Sequence, residues 1–383
     1  METMQESKMR WYGMIVLGVL AAALLWAGRK EPDLDKTPRG KWPKVVQRET
    51  YLEEIQGFDL ARRTGELVVN SLERVWYYNT EGKQVWKMGD GKEWKYVGNL
   101  GISWDGQRVL FQTNLQPRHG TNQLDLDVHL VDAQGELQWV KKNPYRYNTS
   151  KFSPSGRFVL FGDPMEKTTK VYDQNLNLLW QKEIYAWYVV FDPAEEFLFD
   201  SVSGLLFDLE GHQVWDMGGN NRVLSVSDRA EVVLGARFLG LQPAADLFLI
   251  GRTALKKVPL KGRGGCVSPD GSLLAYVNAE GKVVVYRTQE LFSAGPELKP
   301  IFSLGFDQPL LMNLSRDNRS LFVFGQENQT LQQWGMMLVW LPDQKVLWKE
   351  NVQDVVRDVK VSEDNRWIAY KREKMSLVKM QGY

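Results

Sequence analysis

Asp132-Ala133-Gln134-Gly135-Glu136-Leu137-Gln138-Trp139 places an acid, a glycine and a tryptophan at a spacing that returns at Asn79-Gly82-Trp86 and Asp208-Gly211-Trp215. A looser copy keeps Asp173 and Trp180 but has Leu176 in place of glycine, and Trp348 closes another behind Asp343. Each copy reads as strand, tight turn, strand: the acid or amide opens the turn, Gly takes the φ > 0 position, and Trp anchors the returning strand.

A second signature, Ser-x-Asp-Gly between two apolar runs, interleaves with the first and is clearest at Val267-Ser268-Pro269-Asp270-Gly271-Ser272-Leu273-Leu274. Its copies begin at Ser103, Ser153, Asp192, Ser227, Ser268, Ser315 and Ser362, in steps of 50, 39, 35, 41, 47 and 47 residues. A repeat of about 40 to 50 residues holding two hairpin signals is what a four-stranded propeller blade needs. With a degenerate first copy over residues 57–86, the expectation is an all-β, eight-bladed propeller, seven blades being the alternative count. The gap from Trp215 to Trp348 spans three blades, so two of them lack the Trp. Trp86, Trp139, Trp180, Trp215 and Trp348 are expected to be structural wedges between blades.

The repeat argues for one domain, because blades bury their faces only against one another. The chain has 48 basic and 47 acidic residues, so no global field points to nucleic acid or to an acidic partner. The one cysteine, Cys266, excludes a disulfide framework and a multi-Cys metal site, and reads as a small buried strand residue.

Residues 11–28 carry no charge and lie between Lys8 and Arg10 on one side and Arg29 and Lys30 on the other. At about 1.5 Å per residue the run covers roughly 27 Å, enough for a bilayer core, with Trp11, Tyr12 and Trp26 at its ends. The small residues near Ala21 and Ala23 fall inside the run, so an uncleaved transmembrane anchor is expected over a signal peptide. The expected layout is a short tail 1–10, the anchor 11–28, a Pro-bearing tether 29–43 and the propeller 44–383. The basic flank after the anchor is the heavier one, yet the short N-terminus with Lys8 and Arg10 is the usual form of a signal anchor. The propeller is therefore expected outside the cytoplasm, at a cell membrane of the bacterial envelope. The last blade shows only three strands, near 357–361, 367–371 and 375–380, and residues 45–48 are the unassigned β-like stretch that could close it.

Chemistry-bearing motifs are sparse. His119, His129 and His212 share no metal or acid-base spacing, there is no phosphate loop ending in Lys-Ser or Lys-Thr, and no Gly-x-Ser-x-Gly elbow. Asp125, Asp127 and His129 alternate onto one strand face, which reads as a solvated face before it reads as a metal site. Gly262-Arg263-Gly264-Gly265 falls where an inner strand starts, and its small residues read as crowding near the axis. No metal, cofactor or catalytic residue is assigned.

Five residues before the turns stand Gly98, Asn148, Trp187, Arg222, Arg263, Leu310 and Arg357, three of them arginines at one channel mouth. With Trp94, Tyr145 and Tyr147 just upstream, Arg222, Arg263, Arg357 and Trp187 form the candidate binding rim for an anionic group on a partner. The competing reading is an ordinary Tyr- and Arg-rich surface. The insertions 114–123 and 325–333 are expected on the same face as that rim.

The Asp-x-x-Gly-x-x-x-Trp turns resemble the pyrroloquinoline-quinone-like propeller family, and Ser268-Pro269-Asp270-Gly271 and its copies resemble the WD-type and TolB-type repeat, over roughly residues 44 to 383. The quinone enzymes of that family have a vicinal disulfide beside the cofactor, which a chain with one Cys cannot form. The resemblance thus implies the non-enzymatic, scaffold type, which binds protein partners. The expected function is a membrane-anchored protein-interaction scaffold or envelope-polymer binder, the alternative being a small-ligand sensor or enzyme at the channel mouth.

Overall fold

A computed structural model describes residues 44–51, 55–89, 94–115, 126–143, 149–163, 168–184, 189–201, 203–218, 221–239, 242–252, 256–294, 298–306, 308–328, 333–352, 356, 358–371 and 375–381. The apolar run 11–28 lies outside the described residues, and among those described no helix is long and apolar enough to cross a membrane.

The strands fall into antiparallel four-strand units, all but the last consecutive in sequence. Unit 1 is Gly57–Leu60, Leu67–Asn70, Val75–Tyr78 and Gln84–Met88, and unit 2 is Trp94–Ile102, Arg108–Leu115, Leu126–Asp132 and Leu137–Asn143. Unit 3 is Thr149–Phe152, Phe158–Asp163, Thr168–Asp173 and Leu178–Lys182, and unit 4 is Val189–Phe191, Phe197–Asp200, Leu205–Asp208 and Gln213–Asp216. Units 5 and 6 form one seven-stranded sheet: Asn221–Val226, Val232–Leu239, Gln242–Gly251, Lys256–Val267, Leu273–Asn278, Lys282–Arg287 and Phe302–Gly305. Unit 7 is Gln308–Leu314, Ser320–Asn328, Gln333–Trp340 and Lys345–Val352. Unit 8 takes Asp358–Val361, Trp367–Lys371 and Met375–Gln381 from the end of the chain and Lys44–Tyr51 from its start.

The fusion of units 5 and 6 comes from one long strand. Lys256 to Lys261 pair with the third strand of unit 5, and Gly262 to Val267 pair with the second strand of unit 6. The glycine run sits at the hand-over for steric reasons. A Cβ on Gly262 would run into the Val277 carbonyl, one on Gly265 would lie 2.6 Å from the Ala275 carbonyl, and Gly264 has φ +53° at the bulge. The crowding is thus against the neighbouring strand, where the sequence suggests the axis.

The outer strand of unit 8 is Lys44–Tyr51, paired antiparallel with Met375–Gln381 from Lys44↔Gln381 to Tyr51↔Met375. The three-strand C-terminus is completed by the segment that the sequence offers for it.

Apolar clusters lie between neighbouring units and hold them face to face. Trp367, Ala369 and Leu377 of unit 8 pack on Phe58, Leu67 and Val69 of unit 1, while Leu273, Val283 and Phe302 of unit 6 pack on Leu321, Val323 and Val339 of unit 7. Units 7 and 8 are joined through Tyr370, whose hydroxyl donates to Glu350 at 2.8 Å, and through Asn313 and Asn365. Last packs on first, so this is a propeller-like ring with the first strand of each unit innermost. Each unit is half-buried sheet that gains its burial only from its neighbours, which is why the repeat and not the chain length sets the domain.

Candidate functional site

The site is built from the turns upward. In each Ser-x-Asp-Gly turn the serine Oγ accepts the N–H five residues on, at 2.9 to 3.0 Å for Ser103, Ser153, Ser227, Ser268, Ser315 and Ser362. Where Asp follows two residues later, the same hydroxyl donates to it, as from Ser268 to Asp270 at 2.7 Å and from Ser362 to Asp364 at 2.6 Å. Asp192 takes the serine's place in unit 4, accepting from Phe197 N–H at 2.6 Å. The turns are therefore rigid, and each presents the residue after its serine toward the ring axis.

Those residues form a belt. Trp104 N–H donates to Pro154 O (2.7 Å), Asp228 N–H to Pro269 O (2.6 Å), Arg316 N–H to Glu363 O (2.9 Å) and Glu363 N–H to Arg62 O (2.7 Å), each link crossing to the next unit. Pro154, Pro193 and Pro269 have no N–H to give, and side chains bridge those gaps: Ser155 N–H and Oγ reach the Glu195 carboxylate, Arg229 N–H reaches Asp192 Oδ2 at 2.9 Å, and Asn318 Nδ2 reaches Ser272 Oγ at 2.9 Å.

Charged side chains then span the axis. Arg316 of unit 7 holds Glu363 of unit 8 with two bonds of 3.1 Å and also reaches Asp228 of unit 5 at 3.1 Å. Arg63 of unit 1 pairs with Glu363 at 3.6 Å and donates to Pro193 O of unit 4, three units away, at 3.5 Å. Arg62 donates to Asn313 Oδ1 at 3.2 Å while its guanidinium lies 4.6 Å over the Trp104 ring. Together they floor the lumen on the face that carries the turns.

Above this floor is a cavity of about 590 Å³ whose lining includes Asp59, Arg62, Leu224, Ser225, Cys266, Leu310, Met312, Asn313 and Lys360. In units 1, 5 and 6 the residue two before the turn anchors to the next unit: Asp59 Oδ2 accepts Ile102 N–H at 3.1 Å, Ser225 Oγ accepts Val267 N–H at 3.0 Å, and Cys266 takes the N–H of Leu314. Burial raises the Asp59 carboxyl above its ordinary range, against the pull of Lys360 and of the N–H groups of Ile102 and Leu60. Burial lowers the Lys151 ammonium, and the charge on Lys360 lowers it further. Burial also pulls the Arg62 guanidinium down, with Glu363 and Asp59 opposing it. The Cys266 thiol is pushed up to about 12 by burial, so it is inert as a nucleophile and fits the reading as a small packed strand residue.

Among the rim candidates, Arg222 and Arg263 sit at matching register on neighbouring inner strands. Arg222 pairs with Ala236 and Arg263 with Val277, each partner nine residues past its turn serine (236 − 227 and 277 − 268). Arg222 is half-buried and Arg263 exposed, and neither lines the cavity. Leu310, at the aligned position of unit 7, falls in a bulge between Pro309 and Leu311 and does line it. Trp94 is half-buried against the core, 5.6 Å from the rings of Phe111 and His129. Arg357, Trp187, Tyr145 and Tyr147 lie outside the described residues.

Trp86 and Trp180 are buried, each beneath the turn glycine of the next unit: a Cβ on Gly135 or Gly211 would lie 2.9 Å from the indole Cγ below it. Trp139, half-buried, donates Nε1–H to Gln174 O at 3.3 Å and packs with Leu176, which keeps the turn's positive φ (+63°) without glycine. Trp215 and Trp348 are half-buried.

The Asp127–His129 face is not solvated, contrary to expectation. Asp127 is buried, and His129 stacks 5.0 Å from Phe111 with Nε2 2.7 Å from Thr113 Oγ1. Among the described residues Asp208, Glu210 and His212 could converge on an ion, their ligand atoms lying within 4.8 Å of one another on a surface turn.

The floor residues, next to the serines, were not singled out in the sequence. The signal was the column Arg62, Trp104, Asp228, Arg316 and Glu363, which emerges once the turns are aligned. Compared with known proteins, the chain matches no family model and no curated protein.

Proposed function

We propose that the protein is a non-enzymatic scaffold: an eight-bladed β-propeller held at a bacterial cell membrane by residues 11–28, with its ring on the extracytoplasmic side. The outer strands of units 1 to 4 are the surface that takes a protein partner, as an extended apolar segment added to a free sheet edge.

The division of the perimeter carries this reading. Leu137, Leu178, Val85, Val214, Leu179 and Val140 are 54, 51, 49, 45, 44 and 41% exposed, and all stand on the outer strands of four consecutive units. The outer strands of units 5 and 7 carry guarding residues instead, and that of unit 6 exposes small or polar ones. Unit 5 has Lys256, Lys257, Pro259 and Lys261 facing solvent, unit 6 has Ser303 and Gly305, and unit 7 has Lys345. Lysine and proline on an edge are what keep other strands away, and exposed aliphatic positions invite them, although unit 1 also exposes Lys87 among its own.

The test is a photo-crosslinking residue placed at 137, 178 or 257 in the full chain, with adducts analysed from membranes. Adducts to a common protein from 137 and 178 but not 257, lost in a Leu137→Lys, Leu178→Lys background, support the reading. Equal adducts at 257, or none at 137 and 178, overturn it.

A further inference from the structure

Three neighbouring inner strands break their ladder inside the lumen. The inner strands of units 5, 6 and 7 lie side by side, and each carries a bulge. The register skips Leu224 between Val223 and Ser225, Gly264 between Arg263 and Gly265, and Leu310 between Pro309 and Leu311. A bulge leaves one residue over and re-aims its side chain, and all three of these residues line the cavity. Unit 2 bulges as well, but to another end: Asn99 donates to Gln112 Oε1 at 2.7 Å and Leu100 packs on the core.

Glycine in the middle unit makes a slot of the other two. Leu224 is 38% and Leu310 64% exposed, although both stand in a concavity with Met312 beside them. In ring order between them, a Cβ on Gly264 would meet nothing within 4 Å. Gly262 and Gly265 differ, each being crowded by a carbonyl of the next strand, so the room at Gly264 is not left over from that packing.

The charges decide the class of the ligand. Four charged side chains line the cavity, Arg62 and Lys360 against Asp59 and Glu363. They are answered already: Arg316 and Arg63 hold Glu363, Arg62 lies between the fields of Glu363 and Asp59, and Lys360 attracts Asp59. An ion of either sign would shed its water here with no unmatched charge to receive it. The unanswered surface is aliphatic, and burying it favours an occupant that is apolar and uncharged.

The geometry points to the slot between Leu224 and Leu310, across Gly264, as a binding site for a small, uncharged, largely apolar molecule that enters from the face opposite the turns. The cavity of about 590 Å³ is of the size such molecules occupy, and the Arg316–Glu363–Asp228 brace floors its other end. This site is separate from the outer-strand surface and does not depend on it.

The probe is 4-(trifluoromethyl)benzyl alcohol, titrated by fluorine NMR into the full chain in nanodiscs, with empty nanodiscs as the blank. The charged comparisons are 4-(trifluoromethyl)benzoate and 4-(trifluoromethyl)benzylamine, an anion and a cation at neutral pH. The expected result is saturable binding of the alcohol beyond the blank and at least tenfold weaker binding of both ions. Gly264→Asn, which tolerates the left-handed backbone and puts a side chain in the slot, should lower the affinity for the alcohol at least tenfold. Leu310→Ser, a change at an exposed position, should lower it several-fold, and it decides alone if Gly264→Asn does not fold. No saturable binding of the alcohol, an ion that binds as tightly, or unchanged affinity in a folded variant overturns the proposal.

Discussion

Replacing Ser362 with alanine tests the turn that the whole ring repeats. Its side chain is fully buried; Oγ accepts the Trp367 N–H at 2.9 Å and donates to Asp364 Oδ1 at 2.6 Å. Alanine leaves the Trp367 N–H without that acceptor in a buried setting, a loss of about 1 to 3 kcal/mol. It also removes a hydrogen bond to a carboxylate, nominally about 1.5 to 3 kcal/mol, but Asp364 is 40% exposed and water recovers much of this. The sum is about 2 to 4 kcal/mol, read by urea unfolding at constant m. Ser153 is the internal control: it accepts the Phe158 N–H at 3.0 Å, but Ser155 stands where Asp364 does. Ser153→Ala should therefore cost about half as much, roughly 1 to 2 kcal/mol. A loss under about 0.5 kcal/mol for Ser362→Ala, or equal losses at the two sites, would refute the reasoning that the hydroxyl is a two-bond staple.

Two further outcomes follow from other parts of the ring. Removing residues 1–51 should destabilise the protein far more than removing 1–43, because the Met375–Gln381 strand loses its seven paired positions. At about 0.5 kcal/mol for each ladder bond the difference is roughly 3 kcal/mol, and equal melting temperatures would refute it. Asp59→Asn should raise the melting temperature at pH 7. The folded carboxyl is raised above 3.8, so the wild type loses stability as pH rises from that value through the folded one, and Asn avoids the loss while keeping an acceptor for Ile102 N–H. The advantage should shrink as pH falls toward 3.8, and a pH-independent difference would count against burial as its cause.

The sequence made the strands and turns legible because Gly, Ser and Asp act locally: Gly106, Gly156 and Gly271 have φ of 71, 72 and 74° where the pattern put them. The closing strand was legible as well, since an odd strand at one end needs its complement at the other. The fusion of units 5 and 6 was not, because pairing on both sides of one strand depends on where a distant carbonyl, that of Val277, comes to rest. The floor of the lumen was hidden for a related reason. Arg316 reaches Asp228 across a separation of 88 residues, and no local pattern encodes a chord across a ring. The Asp127–His129 alternation misled because Trp94 and Phe111 cover it, a tertiary fact that strand periodicity cannot carry.

The pairing of Lys44–Tyr51 with Met375–Gln381 also sets a clock. The two strands are separated by 324 residues (375 − 51), so the first cannot find its partner until the rest of the chain has been made. At a synthesis rate of about 5 to 20 residues per second, that is a wait of roughly 16 to 65 seconds. Throughout it, Val45 and Val46 belong to a strand with no sheet, and the nascent chain must be kept from pairing with another copy of itself in the same condition.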